Sequence, residues 1–403
     1  MKITFISHVL CGCFMMPFSS ALATVAENNI DPDTEKFVVN TSVEYLDNYH
    51  PRQSDGISAT ALSAGIDGKL VSMHQSVWLQ AAYSGNYTQL KLDETDLALD
   101  NKFGQYDISL LGRFFMGPKW YVDLQGTHRD VDYLLGTGIA KFRPATLTAD
   151  SVSSNKVEAS LVYGNGINRS DSSASRKFLR LGFSHLKQDF AAKNSYSNLF
   201  DLTRDKAELG LSFKLSDITQ FETSFEFENV NFVDDSQLDN DVYRFLLGFE
   251  WQGTGQTRLK FLVGGYKRIY QSSANNQGFL AELDAEYTPL SNLSITLKGS
   301  QTTTTGVVED ALDTIIKSAK LAINYGYKEH IEFTAMATIS NTQYEQVGDY
   351  QTSNESAIGI VSTVSVYDYS TVSLVLQRES LEDDFLSLDY VQNKVELNCR
   401  YAF

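Results

Sequence analysis

Three observations predict the fold class: an export signal at the N-terminus, no apolar run long enough for a membrane helix, and an alternation of apolar and polar residues that holds to the last residue. Together they predict an all-β chain, a transmembrane antiparallel up-and-down β-barrel. Counting segments gives about eighteen strands, with about sixteen to twenty compatible.

Lys2 is a short positive region, residues 3–18 are mostly apolar, and Ala21-Leu22-Ala23 has the small-x-small pattern of a cleavage site. Residues 1–23 therefore read as a signal peptide, 24–36 as a short periplasmic segment and 37–403 as the barrel. Leu10-Cys11-Gly12-Cys13 resembles a lipoprotein signal, but apolar Phe14-Met15-Met16 continue past it. Of three cysteines only Cys399 remains after cleavage, which excludes an intrachain disulfide in the mature chain. No later window holds the roughly 18 apolar residues of a membrane helix. The chain carries 50 Asp and Glu against 33 Lys and Arg, a balance that repels phosphate backbones and argues against nucleic acid as a partner.

The alternation is clearest at the C-terminus. Val395, Leu397, Cys399, Tyr401 and Phe403 are apolar, and Lys394, Glu396, Asn398 and Arg400 lie between them. Successive side chains of a strand point to opposite faces, so one face suits lipid and the other water. A chain ending on Phe, with an aromatic two residues earlier, resembles the signal by which the barrel-assembly machinery recognises its clients. The same rhythm runs from Phe37-x-Val39 to Tyr45, through Val77 to Tyr83, Ala207 to Phe213, Phe221 to Phe227, Tyr243 to Trp251, Phe279 to Tyr287 and Ala319 to Tyr327. Glu222, Glu226 and Glu228 interleave one of these runs, which suits a wet interior and not a packed core.

Tight connections are expected at 116–119, 216–219, 252–256, 288–292, 328–330 and 367–370. Longer polar segments are expected at 88–102, 131–155, 188–203, 232–241, 271–278, 303–317, 342–355 and 379–388. This alternation is that of short periplasmic turns and long extracellular loops. About a dozen residues precede the first strand, too few for a plug domain.

No chemistry stands out. His50, His74, His128, His185 and His330 are scattered, and Gly182-Phe183-Ser184-His185 lacks the closing glycine of a nucleophile elbow. No enzyme, metal or cofactor is expected. Acidic clusters mark the predicted loops: Asp93, Glu94, Asp96 and Asp100; Asp234, Asp235, Asp239 and Asp241; Glu382, Asp383 and Asp384. They read as solvated loop tips, with divalent-ion binding as the alternative. Arg113, Tyr121, Asp123, Arg180, Glu222, Glu226, Arg258, Lys260, Tyr266, Glu282, Glu286 and Arg400 fall on the polar parity and are the candidate lumen lining, with Phe178, Glu208 and Asp284 beside them. Such residues could set ion preference, bind a sugar polymer or brace the wall.

Glu250-Trp251-Gln252-Gly253-Thr254-Gly255-Gln256-Thr257, Gly264-Gly265-Tyr266-Lys267-Arg268 and Glu286-Tyr287-Thr288-Pro289-Leu290-Ser291 resemble the β-barrel porin family found with exopolysaccharide and capsule gene clusters, as does the Leu215-Ser216-Asp217 turn. The resemblance implies passive export of a polysaccharide, in company with a periplasmic export lipoprotein. The residues themselves leave a small-solute diffusion porin, or an adhesin acting through its loops, as alternatives. The expected surroundings are outer-membrane lipid and lipopolysaccharide.

Overall fold

A computed structural model describes residues 36–48, 58–93, 101–133, 150–165, 176–191, 197–234, 236–253, 255–272, 274–305, 313–346, 349–367, 369–384 and 388–403. The expected signal peptide, His50 and the acidic residues Glu94, Asp96, Asp100 and Asp235 lie outside them. Eighteen strands are present: β1 Lys36–Leu46, β2 Ala59–His74, β3 Val77–Leu92, β4 Lys102–Phe115, β5 Trp120–Asp132, β6 Ser151–Asn165, β7 Arg176–Phe190, β8 Leu202–Lys214 and β9 Thr219–Phe232, then β10 Asn240–Gln252, β11 Thr257–Tyr270, β12 Asn276–Leu290, β13 Leu293–Thr305, β14 Asp313–Lys328, β15 Ile331–Gln346, β16 Asp349–Tyr367, β17 Ser370–Asp383 and β18 Leu388–Ala402. Ser197–Phe200 and Ser236–Leu238 are single-turn 3₁₀ helices.

Each strand pairs antiparallel with its neighbours in sequence, and β1 closes the ring on β18 with Val39 opposite Tyr401 and Thr41 opposite Cys399. The N–H of Phe403 donates to the Phe37 carbonyl at 2.8 Å and completes the seam. Closure leaves no free sheet edge, the condition for backbone to cross a bilayer without a helix.

The two faces differ as the alternation requires. Val43, Ile66, Leu110, Leu124, Phe183, Phe245 and Ile360 are among many large apolar side chains left exposed, and they share the outward parity of their strands. A belt of this size has no place in water and marks the barrel as an outer-membrane type. Aromatic residues gather at the turn end of the belt, where Trp120 packs on Tyr163 at 4.6 Å and Tyr401 on Phe403 at 4.7 Å between ring centroids. Cys399, Val395 and Leu397 lie on this outward face.

The connections differ from expectation at one end. Tight turns fall where short ones are predicted, for example Met116–Lys119, where Gly117 adopts φ 128° that a Cβ would resist. The long connections are shorter than their polarity suggests. β15 and β16 run through most of 342–355, so that only 347–348 lie between them, and β13–β14 leaves only 306–312. Polar side chains on both faces end the lipid-facing pattern but not the backbone ladder, which continues beyond the belt. The connection between β6 and β7, residues 166–175, lies outside the described residues.

Candidate channel lining

Inward parity on adjacent strands places charged side chains side by side. On β4 and β5, Arg113 grips Asp123 with two hydrogen bonds, Nε to Oδ1 at 2.7 Å and a terminal nitrogen to Oδ2 at 2.9 Å. Its guanidinium carbon lies 4.4 Å from the centre of the Tyr121 ring. On β10 and β11, Arg258 pairs with Glu250 at 2.8 Å, and Glu286 of β12 faces Arg258 in register. Lys260 reaches across β10 to Glu222 of β9 at 2.7 Å.

The densest network is on β8 to β10. Arg244 bonds both Glu226 and Glu228, the latter at 3.1 Å, and Lys206 also pairs with Glu226. Arg204 lies 3.6 Å from Glu228. Arg244 and Glu228 are only 2% exposed, so each is held by its partner and not by water. Gly248 and Gly264 make the close backbone approach here possible: a Cβ on either would lie 1.8 Å from a neighbouring carbonyl oxygen.

Other predicted residues stand apart. Glu282 faces Leu262 and Ser300 in register and makes no ion pair among the described residues. Arg180 lies between Val162 and Gly210, and Arg400 between Asn40 and Thr371, likewise without an ion pair among the described residues. Glu208 and Asp284 meet lysines at 3.9 and 3.8 Å. The Phe178 side chain is outside the described residues. Tyr266 donates to Asp313 at 3.0 Å, a partner that falls in a segment read as loop.

Sequence reasoning read Glu228 as facing a wet interior but missed its partners Arg204 and Arg244, and Lys206 and Arg268, although the parity of their strands places them inward. It had no signal for the threonines of β13 or for Asp313. In the second acidic cluster two residues take structural roles: Asp239 accepts from the Phe232 N–H at 2.7 Å and Asp241 from Asn229 at 2.8 Å. The histidines stay dispersed, His128 bonding Asn155 at 2.8 Å and His185 bonding Asp205 at 2.7 Å.

At the loop end the inward face turns apolar. Val131, Val152, Phe190, Leu202, Val230 and Phe232 of β5 to β9 form one buried cluster, which Phe200 and Leu238 of the 3₁₀ helices complete. The two 3₁₀ helices therefore pack onto the inner wall through Phe200 and Leu238.

No family model matches the chain, and no curated protein does. The resemblance to exopolysaccharide-associated barrels thus finds no support in either comparison. Solved structures do match. The outer membrane protein opdK from Pseudomonas aeruginosa is 10% identical, with TM-score 0.52, over 92% of this chain and 99% of that one. OccK5 (OpdH) from the same organism is 11% identical with TM-score 0.51, covering 92% and 98%. A BenF-like porin from Pseudomonas fluorescens Pf-5 is 10% identical with TM-score 0.50, covering 92% and 99%. At this identity the likeness is one of fold: the chain is a porin-like β-barrel of the outer-membrane type.

Proposed function

We propose that this protein is a passive porin that lets small polar solutes cross the outer membrane. The observation that carries the reading is the contrast of faces in a closed ring: apolar side chains outward over the belt, and charged pairs such as Arg113–Asp123 and Lys260–Glu222 on the inward face behind it. Such a wall keeps an interior wet, and paired charges of both signs bind a passing solute only weakly, so that it can leave. The likeness to solved porins supports the same reading. Polysaccharide passage has no comparison in its favour, and the two 3₁₀ helices packed on the inner wall take up width that a polymer conduit would use.

Purified protein in planar bilayers and in liposomes tests this. Step-like conductance and swelling in mono- and disaccharides are expected, and folded protein giving neither would reject the proposal. A deletion strain should lose uptake of a small solute while keeping its surface polysaccharide; the reverse result would restore the export reading.

A further inference from the structure

The ladder between β12 and β13 runs up to Ala281 opposite Gln301 and stops there. Beyond it, Asn276–Leu280 of β12 stay paired with β11, while Thr302–Thr305 of β13 pair with β14 as far as Thr305 opposite Asp313. The wall has therefore opened between β12 and β13 at this end, while β14 stays paired with β15 as far as Asp313 opposite Glu345. The side chains that receive the end of the β13–β14 hairpin show the direction it takes. Arg268, on the inward face of β11, donates to Thr305 at 2.9 Å, to Thr303 at 3.3 Å and to Asn240 of β10 at 3.1 Å, and lies 3.5 Å from Asp313. Asp313 also accepts from Tyr266 at 3.0 Å, from Asn276 at 2.9 Å and from Thr303. In a continuous wall β14 lies three strand spacings, about 14 Å, from β11. The hairpin end therefore crosses inward over β12.

Burial agrees with this. Arg268 and Asp313 are each 0% exposed, and Thr302, Thr303, Thr304 and Thr305 are all 5% exposed or less, so both faces of the hairpin end are covered. Inward-facing Val242, Leu246 and Leu280, no more than 2% exposed, show that the neighbouring wall is covered too.

We infer that the folded-in end of β13–β14 sets the size limit of the channel and that Arg268 is the latch that holds it in place. The inference rests on the channel reading. Two strands laid across the interior remove about 10 Å of width. Asp313 is the acid of the latch: without the guanidinium it is a buried carboxylate facing only neutral donors, which drives it back to water and takes the hairpin end with it.

The test uses full-length protein in planar bilayers and liposomes, with Arg268→Ala, Asp313→Asn and a Thr303→Val/Thr305→Val double variant, which removes two acceptors of Arg268 and one donor to Asp313 while keeping the ion pair itself. Lys267→Ala, one residue away on the outward face, is the control. Heat-modifiable gel mobility checks that each barrel is folded. Arg268→Ala should raise single-channel conductance roughly two-fold and admit larger neutral sugars, because conductance follows the open cross-section. The double variant should give a smaller rise, and it carries the test if Arg268→Ala does not fold. A silent wild type with a conducting Arg268→Ala would also support the latch. A conducting wild type with folded variants of unchanged conductance and sugar limit would overturn it and leave the channel reading standing. Silence in every protein would overturn the channel reading, and the latch with it.

Discussion

The interior is covered at its loop end in two ways. On the β5–β9 side eight apolar residues, Phe200 and Phe232 among them, pack two short helices onto the wall. On the β8–β14 side a few charged residues do the equivalent work through Arg244 and Arg268. Apolar packing has no direction, so the first side draws on many residues and tolerates changes of shape. An ion lattice depends on geometry and on every partner being present, so the second is compact and fails abruptly when one member goes. The first side covers; the second positions.

Mutations should separate the two. The largest effect is expected from Arg244→Ala, which removes the cation shared by Glu226 and Glu228, leaves them only Lys206 and Arg204, and should cost about 3 kcal/mol. Urea unfolding in lipid vesicles, followed by tryptophan fluorescence, measures it, and a loss below about 1 kcal/mol would show that the lattice is wet and dispensable. Replacing Arg204, Arg244 and Glu228 together with Met, Met and Gln keeps the Lys206–Glu226 pair and should restore most of that loss, which no single replacement does.

Phe232→Ala should cost about 3 kcal/mol through the cavity it leaves, and Phe232→Leu less than about 1.5 kcal/mol. If Leu proved as damaging as Ala, the apolar side would be positioning as well. Arg113→Ala breaks a two-pronged pair whose side chains are 12% and 9% exposed, and about 2 kcal/mol is expected in the same assay. Lys214→Ala should fall within about 1 kcal/mol of wild type, since its partner Asp217 is 89% exposed and solvent replaces the pair. Added salt should weaken the Lys214 pair and leave the Arg244 lattice nearly untouched.

Strand number, closure and the inward or outward place of nearly every strand residue could be read in advance, because side-chain parity is local and a bilayer enforces it. Arg113 beside Asp123, and Glu222 within reach of Lys260, follow from parity plus neighbouring strands. The extent of the strands was less legible. Glu345 and Thr352 lie in a segment that reads as loop, yet both belong to paired strands, since backbone hydrogen bonds need no apolar face to persist. The function implied by resemblance rested on turn and rim motifs, which many barrels share, and these do not distinguish a polymer conduit from a solute channel.

What the amino-acid order determined alone is therefore the strands and their two faces, because a period of two is a local property of each strand. What only the tertiary structure decided is how the interior is filled. Arg268 meets Asp313, 45 positions away in the numbering, only because β13 leaves β12 at Gln301 and turns inward, and no local pattern encodes that departure. Such a contact depends on the curvature of the closed ring and on the balance between burying a charge and pairing it, and both exist only once the wall is complete.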